Sequence, residues 1–298
     1  MKTISTKIAF LLLLTFSLSN AQISGNQVYG TGNSNRNSTA TGVRSVSVNN
    51  SSLSVSVSIL MNTKADGFVI TFGLNEEAET VKECNSKINK RIDGFIARLK
   101  SLSIKKEELY VDFIAQTKVY DFEVNGTTSK QFEKGFEIKK NVIITTHKVS
   151  NLEKVITMAS EFEIHDIIKV EYYNENSNEV HATLFDAALE MAEVKKEKYL
   201  KSFRKRSIGT PDATETFEVY HPKNQYKTYQ AYESSEVETY SNNRNTNYMK
   251  KVARKNKSFY YDGVSSGGYD KVINSNQTEV GIQYTLTLTV SYKIDTSI

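Results

Sequence analysis

Leu53, Val55, Val57 and Ile59 alternate with Ser52, Ser54, Ser56 and Ser58, a period of two that predicts a half-buried strand. A second strand is predicted over residues 66–75 (DGFVITFGLN). Across 76–102 the spacing lengthens to three and four, through Ala78, Val81, Cys84, Ile88, Ile92, Phe95, Ile96 and Leu99. Glu76, Glu77 and Glu79 stand where a helix dipole favours acid, so the stretch predicts a long amphipathic helix lying on a sheet. Residues 109–124 and 131–147 alternate again around Asn125-Gly126 and predict a long hairpin, with Phe132, Phe136, Ile138, Val142 and Ile144 on one face.

Ser150 and Glu153 form the S-x-x-E pattern of a capping box, ahead of the helical stripe Leu152, Val155, Ile156, Ala159 and Phe162. A short strand is predicted at Ile168, Val170 and Tyr172. A second long helix follows over 178–206, with Leu184, Ala188, Met191, Val194 and Phe203 on one side and Gly209 and Pro211 as its stop. Residues 66–174 therefore read strand, helix, strand, strand, helix, strand, the order of a ferredoxin-like split βαβ arrangement. Near the C-terminus Ile282, Tyr284, Leu286, Leu288, Val290 and Tyr292 alternate with Gln283, Thr285, Thr287, Thr289 and Ser291, a strand expected to share a sheet with the N-terminal ones. The expected fold class is α+β: antiparallel sheets with long helices packed on one face, in two packed subdomains. Two segments stand apart. Residues 22–50, rich in Asn, Ser, Thr and Gly, read as a flexible polar arm, and 210–257 as an irregular insertion in a domain spanning 51–298.

Residues 1–21 combine Lys2 and Lys7, the apolar run IAFLLLLTF and the small-residue site Ser19-Asn20-Ala21, the features of a secretory signal peptide. Export is the expectation. Of 38 basic residues, Lys2 and Lys7 belong to the leader, which leaves 36 against 34 acidic ones, too even a balance for a nucleic-acid-binding face. Past Phe16 no apolar run reaches the roughly 18 residues of a membrane helix, so no transmembrane segment is expected in the mature chain. One cysteine, Cys84, permits no intramolecular disulfide, and its place on the apolar stripe points to a buried hydrophobe ahead of a redox or dimerising thiol.

His147, His165, His181 and His221 lack metal-ligand spacing, and no Gly-x-Ser-x-Gly elbow or Ser, His and Asp set is visible. The sequence thus assigns no catalytic, cofactor-binding or metal-ligating residue. Two basic stretches, 195–206 (KKEKYLKSFRKR) and 250–257 (KKVARKNK), are candidates for anionic lipid; Glu190, Glu193 and Glu197 favour a solvated helix face instead.

The phrase DGFVITFGLNEEAETV opening at Asp66, the phrases LKSLSIKKEELYV and KGFEIKKNVII, the helix LFDAALEMAEVKKEKY (184–199) and the closing strand 282–294 together resemble the SIMPL-domain family. The resemblance runs from about residue 50 to the C-terminus, with 210–257 unmatched. It implies an exported bacterial protein, periplasmic or outer-membrane-associated, of a kind whose members form homo-oligomers and are linked loosely to stress tolerance. The leading expectation is a non-enzymatic envelope protein acting by self-association or scaffolding. The alternatives are a binding module for an envelope polysaccharide, lipid or partner protein, and a hydrolase whose triad is assembled from distant positions.

Overall fold

The computed structural model describes residues 42–295 except 233–235, 243–244 and 252–254. The leader expected at 1–21 and most of the arm, 22–41, lie outside the described residues. Two compact units emerge: the smaller is Tyr226–Asp262, and the larger comprises the described residues up to Gln225 together with those from Gly263.

The larger unit is α+β and holds two antiparallel sheets, each buried on one face by helix. The first sheet contains β1 (Ser45–Val48), β2 (Ser52–Thr63), β7 (Ser207–Tyr220) and β13 (Ile282–Ile294) in the order β1-β2-β13-β7, with the three-residue β12 (Lys271–Ile273) parallel to β2. Alternation sends Leu53, Val55, Val57 and Ile59 of β2, and Leu286, Leu288 and Val290 of β13, to one side. There they meet Leu184, Ala188 and Ala192 of α3 (Ser177–Ser202). Small alanines let this helix lie close on the sheet. Val194 and Phe203, expected on its apolar side, are instead exposed, and the stripe continues to Leu200.

The second sheet takes β3 (Gly67–Ala78), β4 (Leu109–Asn125), β5 (Thr128–Thr146) and β6 (Asp166–Tyr173) in the order β4-β5-β3-β6, every pair antiparallel. Ile70, Phe72, Ile138, Val142 and Ile144 pack beneath Cys84, Ile88, Ile92, Phe95 and Leu99 of α1 (Val81–Leu99) and Val155 and Ala159 of α2 (Val149–Ser160). Phe95 meets Phe72 edge-on at 5.7 Å. Arg91 of α1 ties this layer together: its guanidinium donates to Glu76 Oε2 at 2.9 Å, the Asn75 carbonyl at 3.0 Å and the Phe162 and Glu163 carbonyls.

The structure corrects several local expectations. Glu76 and Glu77 belong to β3 rather than the helix, because ladder pairing with Ile138 and Glu137 outweighs dipole preference. Thr80 caps α1, its Oγ1 accepting from Glu83 N–H at 3.2 Å. The capping box at Ser150 does not form: the N-cap of α2 is Lys148, two residues earlier, and Thr146 Oγ1 accepts from the Lys148 N–H and from Asn151 Nδ2. A bulge between Val119 and Tyr120 turns Phe132 to the face opposite Phe136, leaving it exposed. The extra residue is Lys134, next to Gly135, where a Cβ would come within 2.4 Å of the Ala78 carbonyl.

The arm expected over 22–50 ends in a strand, since Val46 and Val48 pair opposite Val55 and Leu53 and pack on the first core. The irregular insertion at 210–257 is largely extended. Most of β7 lies in it, pairing with β13, and the smaller unit is two antiparallel ladders. These are β8 (Tyr226–Tyr232) with β11 (Lys255–Tyr261), and β9 (Glu236–Asn242) with β10 (Asn245–Lys251). Polar strands rich in Thr and Tyr carry β propensity without an apolar face, so their period is faint in sequence.

Between β1 and β12 the edge of β2 is closed by side chains. Asp270 accepts from Ser58 N–H at 3.1 Å and pairs with Lys195 of α3 at 2.7 Å, while Lys195 Nζ also donates to the Ser56 carbonyl. The pair is largely buried, 19% and 9% exposed.

Three outcomes follow from this packing. Phe95→Ala, which empties the centre of the second core, is expected to cost about 3–5 kcal/mol in urea unfolding. Asp270→Ala strands the Lys195 ammonium and is expected to cost about 3 kcal/mol; adding Lys195→Met should recover part of that, the sign of a charge left unpaired. Cys84 is fully buried, its thiol donates to the Glu76 carbonyl at 2.9 Å, and burial pushes its pKa up. It should react with Ellman's reagent only in denaturant, whereas rapid reaction of the native protein would show an accessible thiol.

Candidate functional site

The histidines are dispersed. His147 lies 3.5 Å from Glu108 and 3.7 Å from Glu175, with Nδ1 3.4 Å from the Tyr173 hydroxyl. His165 is exposed, and His181 joins Glu215 at 2.5 Å beside the Phe217 ring. His221 lines a cleft described below. Among the described residues, no group of three His, Cys, Asp or Glu side chains could hold a metal ion.

The first basic stretch is partly consumed inside the protein. Lys195 closes the β2 edge, and Lys196 pairs with Glu193 while lying 5.1 Å above the Tyr292 ring. Lys198, Lys201 and Arg204 remain exposed. The second stretch, 250–257, falls on β10 and β11 and the residues between them, and its side chains lie outside the described residues. No described helix is long and apolar enough to cross a membrane.

Two surfaces have the character of sites. The first is the distal half of the β4–β5 hairpin. With 17 residues at ~3.4 Å each, β4 reaches ~58 Å, whereas α1, 19 residues at ~1.5 Å, covers only ~28 Å. The sheet therefore overhangs its helices, and every residue from 120 to 134 is exposed. Tyr120, Phe122 and Val124 alternate onto one face of the overhang at 49%, 60% and 69% exposure. Phe132 is exposed on the other face, and Lys118 pairs with Glu133 at the base. Tyr110, Phe113 and Ile114 are also exposed farther back on the same edge strand, Tyr110 opposite Ile143 and Phe113 opposite Lys140 and so on different faces. Contiguous exposed apolar patches in proteins generally mark interaction sites, which makes this hairpin a candidate. The alternation was visible in sequence; that helices would stop short of it was not.

The second is a cleft of about 300 Å³ between β6 and the short turn Pro222–Asn224. Glu171 and Tyr173 alternate onto the helix-free face of the second sheet, beside Val69 of β3. Gly67 makes room for the tyrosine: a Cβ there would stand 2.3 Å from the Tyr173 ring. The Tyr173 hydroxyl is held above its ordinary pKa by burial first, then by Glu175, Glu108 and Asp66. Glu171 accepts from Lys169 at 2.8 Å and from Lys223 at 3.0 Å, and these two ammonium groups hold its carboxyl below the usual range. Sequence reading missed the cleft because Gly67, Tyr173 and Lys223 come from three distant segments.

No curated protein matches the chain. The family model SIMPL, described as a protein of unknown function (DUF541), matches residues 53–291, from β2 through most of β13 and across both sheets, and the chain belongs to that family.

Proposed function

We propose that this is an exported envelope protein, periplasmic or outer-membrane-associated and non-enzymatic, that acts by self-association through the β4–β5 hairpin. The observation that carries the reading is the stripe of Tyr120, Phe122 and Val124 on an arm that projects past its own helices. A second copy supplies a matching apolar face at no cost in new chemistry, because closed symmetric pairing uses one patch twice. Export rests on the leader features of residues 1–21. Within this proposal the β3-α1-β4-β5-α2-β6 segment is a ferredoxin-like split βαβ unit. The strand order β4-β5-β3-β6 supports that assignment, and the unit serves as the base that holds the arm rigid.

The mature protein is expected to sediment as an oligomer in analytical ultracentrifugation. Replacing Tyr120 and Phe122 together by serine should shift it toward monomer, each truncation weakening association by about 1–3 kcal/mol. The unfolding midpoint should hardly move, because neither side chain is buried in the protomer. A strictly monomeric wild type at high concentration, or oligomers indifferent to both substitutions, would contradict the proposal.

A further inference from the structure

We propose that the cleft between β6 and the Pro222–Asn224 turn binds a small zwitterion of the α-amino-acid class. The inference is independent of self-association through the hairpin.

Charge placement selects the ligand. Glu171 and Lys223 stand side by side at the cleft, Nζ to Oε1 3.0 Å, with Lys169 on the far oxygen of the same carboxylate at 2.8 Å. A bare anion would meet Glu171, and a bare cation would meet Lys223 and Lys169. A molecule carrying an ammonium and a carboxylate on one carbon satisfies both, its carboxylate on Lys223 and its ammonium on Glu171. The resident pair can yield. Its side chains are 32% and 55% exposed, and an ion pair so open to water holds weakly. When Lys223 swings to a ligand, Lys169 still keeps the Glu171 carboxylate charged and in place.

The walls set the size and the side chain. Val69, Tyr173 and Pro222 give an apolar lining, and Pro222 is buried in a turn closed by Gln225 N–H on its carbonyl at 2.9 Å. About 300 Å³ is the lower end of small-molecule sites, enough for one residue-sized ligand. The space exists because Gly67 lets the Tyr173 ring lie on the β3 backbone; any Cβ there drives the ring away from it.

Isothermal titration calorimetry on the intact mature protein, with a panel of free L-amino acids, tests the proposal. At least one apolar member, L-leucine being the first probe, is expected to bind saturably. N-acetyl-leucine, which lacks the cation, and leucinamide, which lacks the anion, should each bind roughly tenfold or more weakly. Lys223→Met and Glu171→Gln should each weaken binding by roughly tenfold or more with the unfolding midpoint retained. Gly67→Ala should abolish binding, and the two rim variants decide the matter if that protein does not fold. Absence of saturable binding across the panel would overturn the proposal. So would equal affinity for the blocked derivatives, or affinity unchanged by Lys223→Met.

Discussion

The ladder between β2 and β13 is the constraint on which the larger unit rests. It runs in unbroken register from Ile282 opposite Thr63 to Lys293 opposite Ser52, joining segments more than two hundred residues apart. Closing so long a loop carries an entropic cost that rises only slowly with length, and twelve paired positions with a shared apolar face offset it. On the helix side the ladder buries Leu53, Val55, Val57, Leu286, Leu288 and Val290 under α3. On the other side hydroxyls pair across the strands, Ser56 with Thr289 at 2.8 Å and Ser58 with Thr287 at 2.7 Å. The ladder also gives β7 its edge to add to, and so sets where the Pro222 turn arrives.

Each sheet has one face covered by helix, and the two helical layers differ in what they leave bare. α3, with 26 residues, spans the first sheet. α1 and α2, with 19 and 12, cannot span strands of 17 and 19 residues, since a helix residue advances less than half as far as a strand residue. The exposed arm is thus a consequence of element lengths. Natural sheets blunt exposed edges with bulges and charges, and this one carries both, at Phe113/Ala115 and Val119/Tyr120 and in Asp112, Lys118, Asp121 and Glu123. Those devices discourage open-ended strand addition yet leave the aromatic face exposed.

Period was the most legible property of the chain. Alternation at 52–59 and 282–292 and the three-to-four spacing from Val81 to Leu99 translate directly into β2, β13 and α1. Boundaries were less legible, because they depend on partners. Glu76 reads as a helix start until Ile138 is known to lie opposite it, and Ser150 reads as a cap until the helix is seen to begin at Val149, with Lys148 as an N-cap whose side chain accepts no hydrogen bond. The polar strands from β7 to β11 were illegible for a related reason: their side chains lack an apolar period, and only their ladders reveal them. The apolar stripe of the arm could be read as alternation but not as exposure. The cleft could not be read at all, since its glycine, tyrosine and lysine have no local signature.

Asp66 shows how a residue in a recognisable phrase can carry structure instead of chemistry. Its N–H donates to the Tyr173 carbonyl at 3.0 Å, while its Oδ2 accepts from Glu175 N–H at 3.0 Å. One residue thereby clamps the start of β3 to the joint where β6 hands over to α3, and so links the two cores along the chain. Phe68 and Tyr172, edge-on at 5.0 Å, reinforce the same joint, with Tyr172 packed on the first core. A carboxylate suits the position because its second acceptor oxygen reaches the turn amide while the strand amide pairs in the ladder. The same clamp sets Tyr173 over Gly67 and thus shapes the wall of the cleft. Architecture and candidate ligand site therefore share a hinge point, and a change at Asp66 would reach the cleft through the backbone of β6 rather than by direct contact.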